Sequence, residues 1–278
     1  EERNIWCKVF INPMNLVEKA GEEAGKTQVL VFAGGKARRM GCLNVPKPLI
    51  EVNGKPLIDM CVEYLRDNGF SDFVLLVGHG HEKIREHVGE GERYGVRVRY
   101  SVDPPLEHVG KGKALKHAIE TGVVDRSRRA LIAFPDDVFL DKSLPLRLLL
   151  YHVENVRLRG TLATVVVSSA INYPYGVAEV DEDGLVKEFK EKPVIRMHTS
   201  TGLYVFEPGV YDLIVEMIDM SREETVEFEN TVLPELARRG KVCAFIIPNG
   251  IWYPVNTLKD LDKLINVLSK CSEFLVRI

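Results

Sequence analysis

From residue 28 the chain alternates short runs of β-branched and aliphatic residues with amphipathic stretches, and this alternation constrains the fold more than any other property. Val29-Leu30-Val31-Phe32-Ala33 is continuously apolar and ends in Gly34-Gly35, the pattern of a strand buried on both faces that breaks into a tight loop. A helix follows: Pro56 suits a first helical position, Leu57, Ile58, Cys61, Val62 and Leu65 share one face, and Gly69 reads as its C′ residue. Residues 73–77, 96–100 and 130–134 read as further strands, with helices over 82–88 and 114–120. Strands alternating with helices predict a parallel sheet covered on both faces. Ligands in such sheets bind at the carboxyl ends of strands, which directs attention to the loops 34–48, 104–113 and 136–138.

After residues 162–168 the pattern changes. Val177-Ala178-Glu179-Val180 and residues 185–189, joined by Asp181-Glu182-Asp183-Gly184, read as a hairpin with a turn-forming tip. The second half therefore adds antiparallel elements to the same sheet or beside it. A closing helix starts near Leu258, where Leu258, Leu261, Leu264, Ile265 and Leu268 form a stripe and Thr257 with Asp260 resembles a capping box. With no linker-like or repeated segment, residues 27–278 are expected to form one domain. Residues 1–26 form an extension whose apolar patch, Ile5, Trp6, Val9 and Phe10, is read as padding for the core or a subunit contact.

Composition narrows the function. A chain of 278 residues with 45% hydrophobic and 28% charged residues is neither disordered nor a disulfide-framed miniprotein. Its 37 basic and 40 acidic side chains leave a formal charge of -3, which argues against nucleic acid as a partner. Cys7, Cys42, Cys61, Cys243 and Cys271 contain no C-x-x-C pair and fit neither a disulfide framework nor a zinc site. No apolar run approaches the ~20 residues that span a bilayer, and Glu1-Glu2-Arg3 does not open a secretory leader. The expectation is a cytoplasmic protein with no membrane partner. His79-Gly80-His81 is set aside as a metal pair because residues two apart at a strand-to-helix turn diverge. Cys42 is read as a spectator thiol, and Glu223, Glu224, Glu227 and Glu229 as a solvated helix entrance.

The chemistry concentrates in Gly34-Gly35-Lys36-Ala37-Arg38-Arg39-Met40 and Pro46-Lys47-Pro48-Leu49. Glycines directly after a buried strand let the backbone approach a ligand, and successive N–H groups there form an anion-binding nest. At an effective dielectric near 20, a cation about 4 Å from a phosphate oxygen gains on the order of 4 kcal/mol, so Arg39 and Lys47 could together offset the repulsion between two phosphate groups. Neither G-x-x-x-x-G-K-[ST] nor G-x-G-x-x-G is present, which disfavours a kinase-like or dehydrogenase-like cradle. Taken alone, the loop also fits a solvated basic turn.

With these segments the chain resembles the sugar-1-phosphate nucleotidyltransferases, also called nucleotide-diphosphate-sugar pyrophosphorylases, over about residues 28–268. Further matches follow in family order. Gly110-Lys111-Gly112-Lys113-Ala114-Leu115 resembles the loop beside the nucleotide, and Pro135-Asp136-Asp137 the acidic strand end that binds magnesium. Tyr175-Gly176-Val177, Glu191-Lys192-Pro193 and Thr201-Gly202-Leu203-Tyr204 resemble the sugar-phosphate half, and Trp252 with Asn256-Thr257 the closing motif.

The resemblance implies a Rossmann-like three-layer α/β/α nucleotidyltransferase fold with a mixed, mainly parallel central sheet. Its nucleotide-binding half would cover about 27–160 and its sugar-phosphate half about 161–278. The reaction implied joins a nucleoside triphosphate and a sugar 1-phosphate, with Mg²⁺ as cofactor, by in-line attack on the α-phosphorus and loss of pyrophosphate. Arg39 would hold the leaving pyrophosphate, Lys47 would sit by the reacting phosphates and Lys192 would fix the sugar phosphate. Ala33, Gly34, Gly35, Lys36, Gly110 and Lys111 would face the nucleotide. Tyr175, Gly176, Glu191, Thr201 and Gly202 would face the sugar, and Asp136 would hold the metal. A homo-oligomer is left open, because the family often assembles.

Three departures qualify the match. The family usually closes with Trp-x-Asp, whose carboxylate is a second magnesium ligand; Pro254 stands there, leaving Asp136 with Asp137 or Asn256. Lys111 and Lys113 replace the usual Thr or Ala and are read as pointing to solvent sooner than to the triphosphate. The arginine loop is short, with Gly41-Cys42-Leu43-Asn44-Val45 before Pro46. The alternatives are a nucleotidyltransferase for a non-sugar acceptor (an inositol phosphate, cobinamide phosphate or molybdenum cofactor) and a non-catalytic nucleotide-sugar-binding regulator. The segments at 191–193 and 201–204 favour a sugar.

Overall fold

Seven strands share one sheet: β1 (Thr27–Phe32), β2 (Asp72–Val77), β3 (Arg97–Val102), β4 (Arg129–Ala133), β5 (Ala163–Ser168), β6 (Thr199–Phe206) and β7 (Val242–Ile247), in the order β7-β5-β6-β4-β1-β2-β3. The computed structural model describes residues 13–35 and 45–275, with side chains over 18–35 and 45–270. Lys36, Arg39 and Cys42, like the patch at Ile5, Trp6, Val9 and Phe10, lie outside the described residues. β1 is an interior strand of the sheet, parallel to β2 through Val31 opposite Leu75 and to β4 through Val31 opposite Ala133. β2 and β3 are parallel, as are β5 and β7, whereas β6 runs antiparallel to both its neighbours, β4 and β5. The sheet is thus mixed and mainly parallel, and strands from both sequence halves belong to it.

The continuous apolar runs become the middle layer because both faces are covered. Val29, Val31, Phe73, Leu75 and Leu131 face one core with α2 (Leu57–Arg66), α3 (His81–Val88) and α5 (Leu144–Arg159). Leu30, Val74, Leu76 and Ile132 face the other, with α4 (Gly110–Glu120), α6 (Gly209–Met217) and α7 (Val232–Arg238). Each fully buried Val, Leu or Phe contributes roughly 1.5–3 kcal/mol, which makes these two faces the dominant source of stability. The helix α1 (Pro13–Lys26) joins the first core through Ala24. A helix α8 (Leu258–Leu275) closes a third cluster in which Leu264 meets Val255, Val138 and Ile50. Its start is the expected capping box: Asp260 Oδ2 accepts from Thr257 N at 2.8 Å, and Asp260 N donates to Thr257 Oγ1 at 3.3 Å.

The hairpin forms as expected, with Val177–Val180 antiparallel to Val186–Lys190, but both strands are exposed throughout and stand outside the main sheet. Helix α4 differs more. It begins at Gly110 rather than 114, because Gly110 and Gly112 pack directly on the backbone of Val226. A Cβ at either would come within 2.6–2.8 Å of the Val226 carbonyl, while Gly112 N donates to that oxygen at 2.8 Å. The glycines mark a close approach of two backbones, not a loop. No helix of the described residues is long and apolar enough to cross a membrane.

Candidate active site

The carboxyl ends of β1, β2, β3 and β4 open on a cavity of about 350 Å³ lined by residues of all three loops singled out above. Gly34, Gly35 and Lys47 belong to the first of these loops, Gly110 and Lys111 to the second, and Asp136 to the third. Lys47 is placed by local geometry: Pro46 caps a single helical turn, Lys47–Leu49, and Pro48 within that turn is buried. Asp136 is placed by Pro135, which follows β4, and by its own carbonyl, which accepts from Val255 N at 2.7 Å.

Lys47 Nζ donates to Asp136 Oδ2 and also to Asn256 Oδ1 at 3.0 Å, so three distant segments meet at one ammonium group. Asp137 points elsewhere. It accepts from Trp252 Nε1 at 2.8 Å and lies against Gly202, where a Cβ would overlap its Oδ2. Burial and then the neighbouring Asp136 charge push its pKa up to about 8. Pro254 sits directly opposite Asp137 in a short ribbon, Trp252–Pro254 paired with Asp137–Phe139. The same burial, reinforced by Asp136 and Asp137, pushes the Cys61 thiol up to about 12, so Cys61 is no nucleophile here.

Two readings of the lysine-rich turn are corrected. Lys113 is 1% exposed and does not reach solvent: its ammonium donates to the carbonyls of His108, Arg222 and Glu224 at 2.8, 2.5 and 3.0 Å. Lys111 lines the cavity, 5.4 Å from the Phe134 ring centre, and pairs with Glu229 at 2.6 Å and Glu227 at 3.6 Å. Glu227 and Glu229 are therefore partners of that lysine, not a solvated helix entrance. Burial raises the Glu229 pKa against the pull of Lys111.

The sugar-side residues group separately. Glu191 and Lys192 are adjacent in space at 3.6 Å, and a Cβ on Gly176 would lie 3.0 Å from Glu191 Oε2. Tyr175 and Lys192 are each 68% exposed, and none of these four residues lines the cavity. Thr201 is fully buried, its hydroxyl donating to Val166 O at 3.0 Å, so its side chain serves the sheet. Ala33 is buried at the end of β1, its N–H donating to Leu76 O at 2.8 Å.

Two charged cavity residues were missed from sequence. Glu227 became visible only when the turn after α6 folded back on α4. Asp103 follows β3 directly and carried the signal of a strand's carboxyl end, one residue before the loop that was singled out. Burial pushes its pKa up to about 6, the charge of His81 opposing.

This mixed sheet, with a glycine turn, a lysine and an aspartate gathered at its carboxyl edge, defines an α/β protein with a charged cleft at its strand ends. The chain belongs to the nucleotidyl transferase family, whose model matches residues 28–270. It is 30% identical over 200 residues to UTP–glucose-1-phosphate uridylyltransferase of Synechocystis, covering 67% of this chain and 50% of that protein. It is 32% identical over 241 residues to a mannose-1-phosphate guanyltransferase of Pichia angusta, covering 83% and 61%. The chain thus spans between half and about three fifths of these relatives' lengths. A solved structure from Bacillus anthracis, a candidate glucose-1-phosphate thymidylyltransferase in complex with sucrose, shares the fold with a TM-score of 0.66 at 23% identity, over 87% of this chain and 94% of that one.

Proposed function

We propose that the chain transfers a nucleotidyl group from a nucleoside triphosphate to a sugar 1-phosphate. The observation that carries this reading is the meeting of Lys47 and Asp136 in the wall of the cavity that Gly34 and Gly35 also line. An oxygen of the acceptor phosphate bonds to the α-phosphorus while the bond from that phosphorus to the bridging oxygen breaks, and pyrophosphate leaves with the electron pair. Both substrates are anions and the nucleophile is already ionised, so the protein needs no general base; it must position and neutralise.

Lys47 would exchange its Asp136 partner for phosphate oxygens, and the N-terminus of α4 adds a partial positive charge to the same cavity. Arg39 is assigned to the pyrophosphate. Glu191 and Lys192, at the base of the exposed hairpin, are assigned to the sugar phosphate with Tyr175, Gly176 and the backbone of Thr201-Gly202. Among the described residues no group of three His, Cys, Asp or Glu forms a metal cage. One carboxylate, Asp136, and the neutral oxygen of Asn256 would hold a Mg²⁺ ion whose other ligands would come from phosphate and water. Bound there, Mg²⁺ would neutralise charge on the phosphates.

The relatives quoted above are named for two different bases and two hexoses, all as 1-phosphates, which supports the acceptor class. The free thiols Cys61 and Cys243 fit the reducing, cytoplasmic compartment we propose. Exchange of radiolabelled pyrophosphate into a nucleoside triphosphate, dependent on a sugar 1-phosphate, tests the reading. Nucleotide binding without exchange for any of the five bases, across a panel of sugar 1-phosphates, would favour a regulatory protein instead.

A further inference from the structure

Asp103 stands at the carboxyl end of β3, its backbone N–H donating to Val77 O at 2.8 Å. From there its carboxylate leans across the end of β2 towards β1. A Cβ on Gly34 would lie 3.3 Å from Asp103 Oδ2, and one on Gly78 would overlap that oxygen. Two glycines thus leave room for a single carboxylate in the cavity wall. Among the described residues none donates a hydrogen bond to it, whereas the cavity's other two carboxylates are engaged. Asp136 holds Lys47, and Glu227 accepts from Lys111 N at 2.9 Å.

The carboxylate lies at one end of the cavity. The ends of β4 and β3 are separated by three strand spacings, about 14 Å, the scale of an extended nucleotide. Lys47 and Asp136 mark the phosphate end. Phe32, Leu76 and Ala114 add apolar surface suited to a base, beside a carboxylate with two acceptor oxygens.

We infer that Asp103 selects guanine as the base of the triphosphate, an inference that rests on the nucleotidyl-transfer reading above. Guanine presents two adjacent donors, N1–H and the N2 amino group, which match the two oxygens of one carboxylate. Uracil and thymine present one N–H flanked by carbonyls. Adenine and cytosine place a ring nitrogen acceptor beside their amino group. Each of these sets a lone pair against a carboxylate oxygen, and a partly desolvated site penalises such a mismatch heavily.

The test is calorimetric binding of GTP, ITP, UTP, ATP and CTP, with Mg²⁺, to the wild-type chain and to Asp103→Asn. GTP is expected to bind at least about tenfold more tightly than UTP, ATP or CTP, and ITP, which lacks the N2 amino group, about tenfold more weakly than GTP. In Asp103→Asn the amide replaces one acceptor by a donor, so GTP weakens at least about tenfold and UTP gains. The ITP comparison uses wild-type protein and does not depend on the variant folding. A wild-type preference for another base, equal binding of GTP and ITP, or an unchanged ranking in a folded variant would overturn the guanine assignment and leave nucleotidyl transfer standing. Binding of no triphosphate at all would overturn both.

Discussion

Lys47 and Asp136 are 89 residues apart in sequence and form an ion pair in the wall of one cavity, with side chains 14% and 26% exposed. Desolvation of a partly buried pair offsets much of its attraction, so the pair adds little net stability and its members can serve a ligand. Lys47→Met and Asp136→Asn are each expected to lower turnover by at least ~100-fold, read as pyrophosphate release, while the thermal transition moves by only a few degrees. Unimpaired turnover in either variant would remove that residue from the reaction.

Asn256 supplies a neutral oxygen where Pro254 supplies none. Its Oδ1 accepts from Lys47, 3.0 Å away, beside the carboxylate of Asp136. Asn256→Asp adds a second carboxylate there, and a hard divalent ion gains affinity with each anionic ligand. The expected outcome is half-maximal activity at a lower Mg²⁺ concentration than in the wild type. An unchanged or raised requirement would place the metal away from Asn256.

What the sequence made legible follows from the kind of signal each feature left. Buried strands announce themselves as apolar runs, so β1, β2 and β4 were found within a few residues of their ends. Lys47 and Asp136 were legible because each follows a proline in a loop at a strand's carboxyl end and because those segments resemble the family's. Side chains whose meaning depends on a distant segment left no such mark. Lys113 looks like a surface cation until the turn at 222–226 wraps it, and the glycines of α4 look like a loop until Val226 packs on them. Asp103 and Glu227 belong to the cavity only through tertiary contact.

The two lysines of the α4 turn should separate cleanly. Lys113→Met removes an ammonium that satisfies three carbonyls in a buried position and leaves them without donors. A loss of about 2–4 kcal/mol in unfolding free energy is expected, measured by urea denaturation. Lys111→Met lifts a partner from Glu227 and Glu229 but sits in the cavity wall. It is expected to change nucleotide affinity more than stability. Equal destabilisation by both would mean that Lys111 is also a structural staple.

The polar cluster at the opposite edge of the sheet contributes stability that acid removes. Arg129 pairs with Glu207 and, at 2.8 Å, with Glu23 of α1, while the buried His152 contacts Glu207 Oε1 at 3.0 Å and Thr164 Oγ1 at 2.8 Å. Burial raises the pKa of Glu207 and of Glu23, but in each case the hydrogen bonds and charge of neighbouring basic groups outweigh it and leave the carboxyl below its ordinary range near 4.5. Burial first, and then the charge of Arg129, hold His152 below its ordinary 6.5. In all three the folded pKa is depressed, so the folded state binds protons less readily than the unfolded chain. Their contribution is therefore present above the unfolded pKa and lost as pH falls, from about 6.5 for His152 and from about 4.5 for the glutamates. Arg129→Met removes the cation that keeps both glutamates ionised. Urea midpoints at pH 7.5, 5.5 and 4.0 should show the variant weaker than the wild type at pH 7.5, with the gap narrowing at pH 4.0 as wild-type Glu207 and Glu23 lose their advantage. A gap that is constant with pH would mean that Arg129 acts through packing alone.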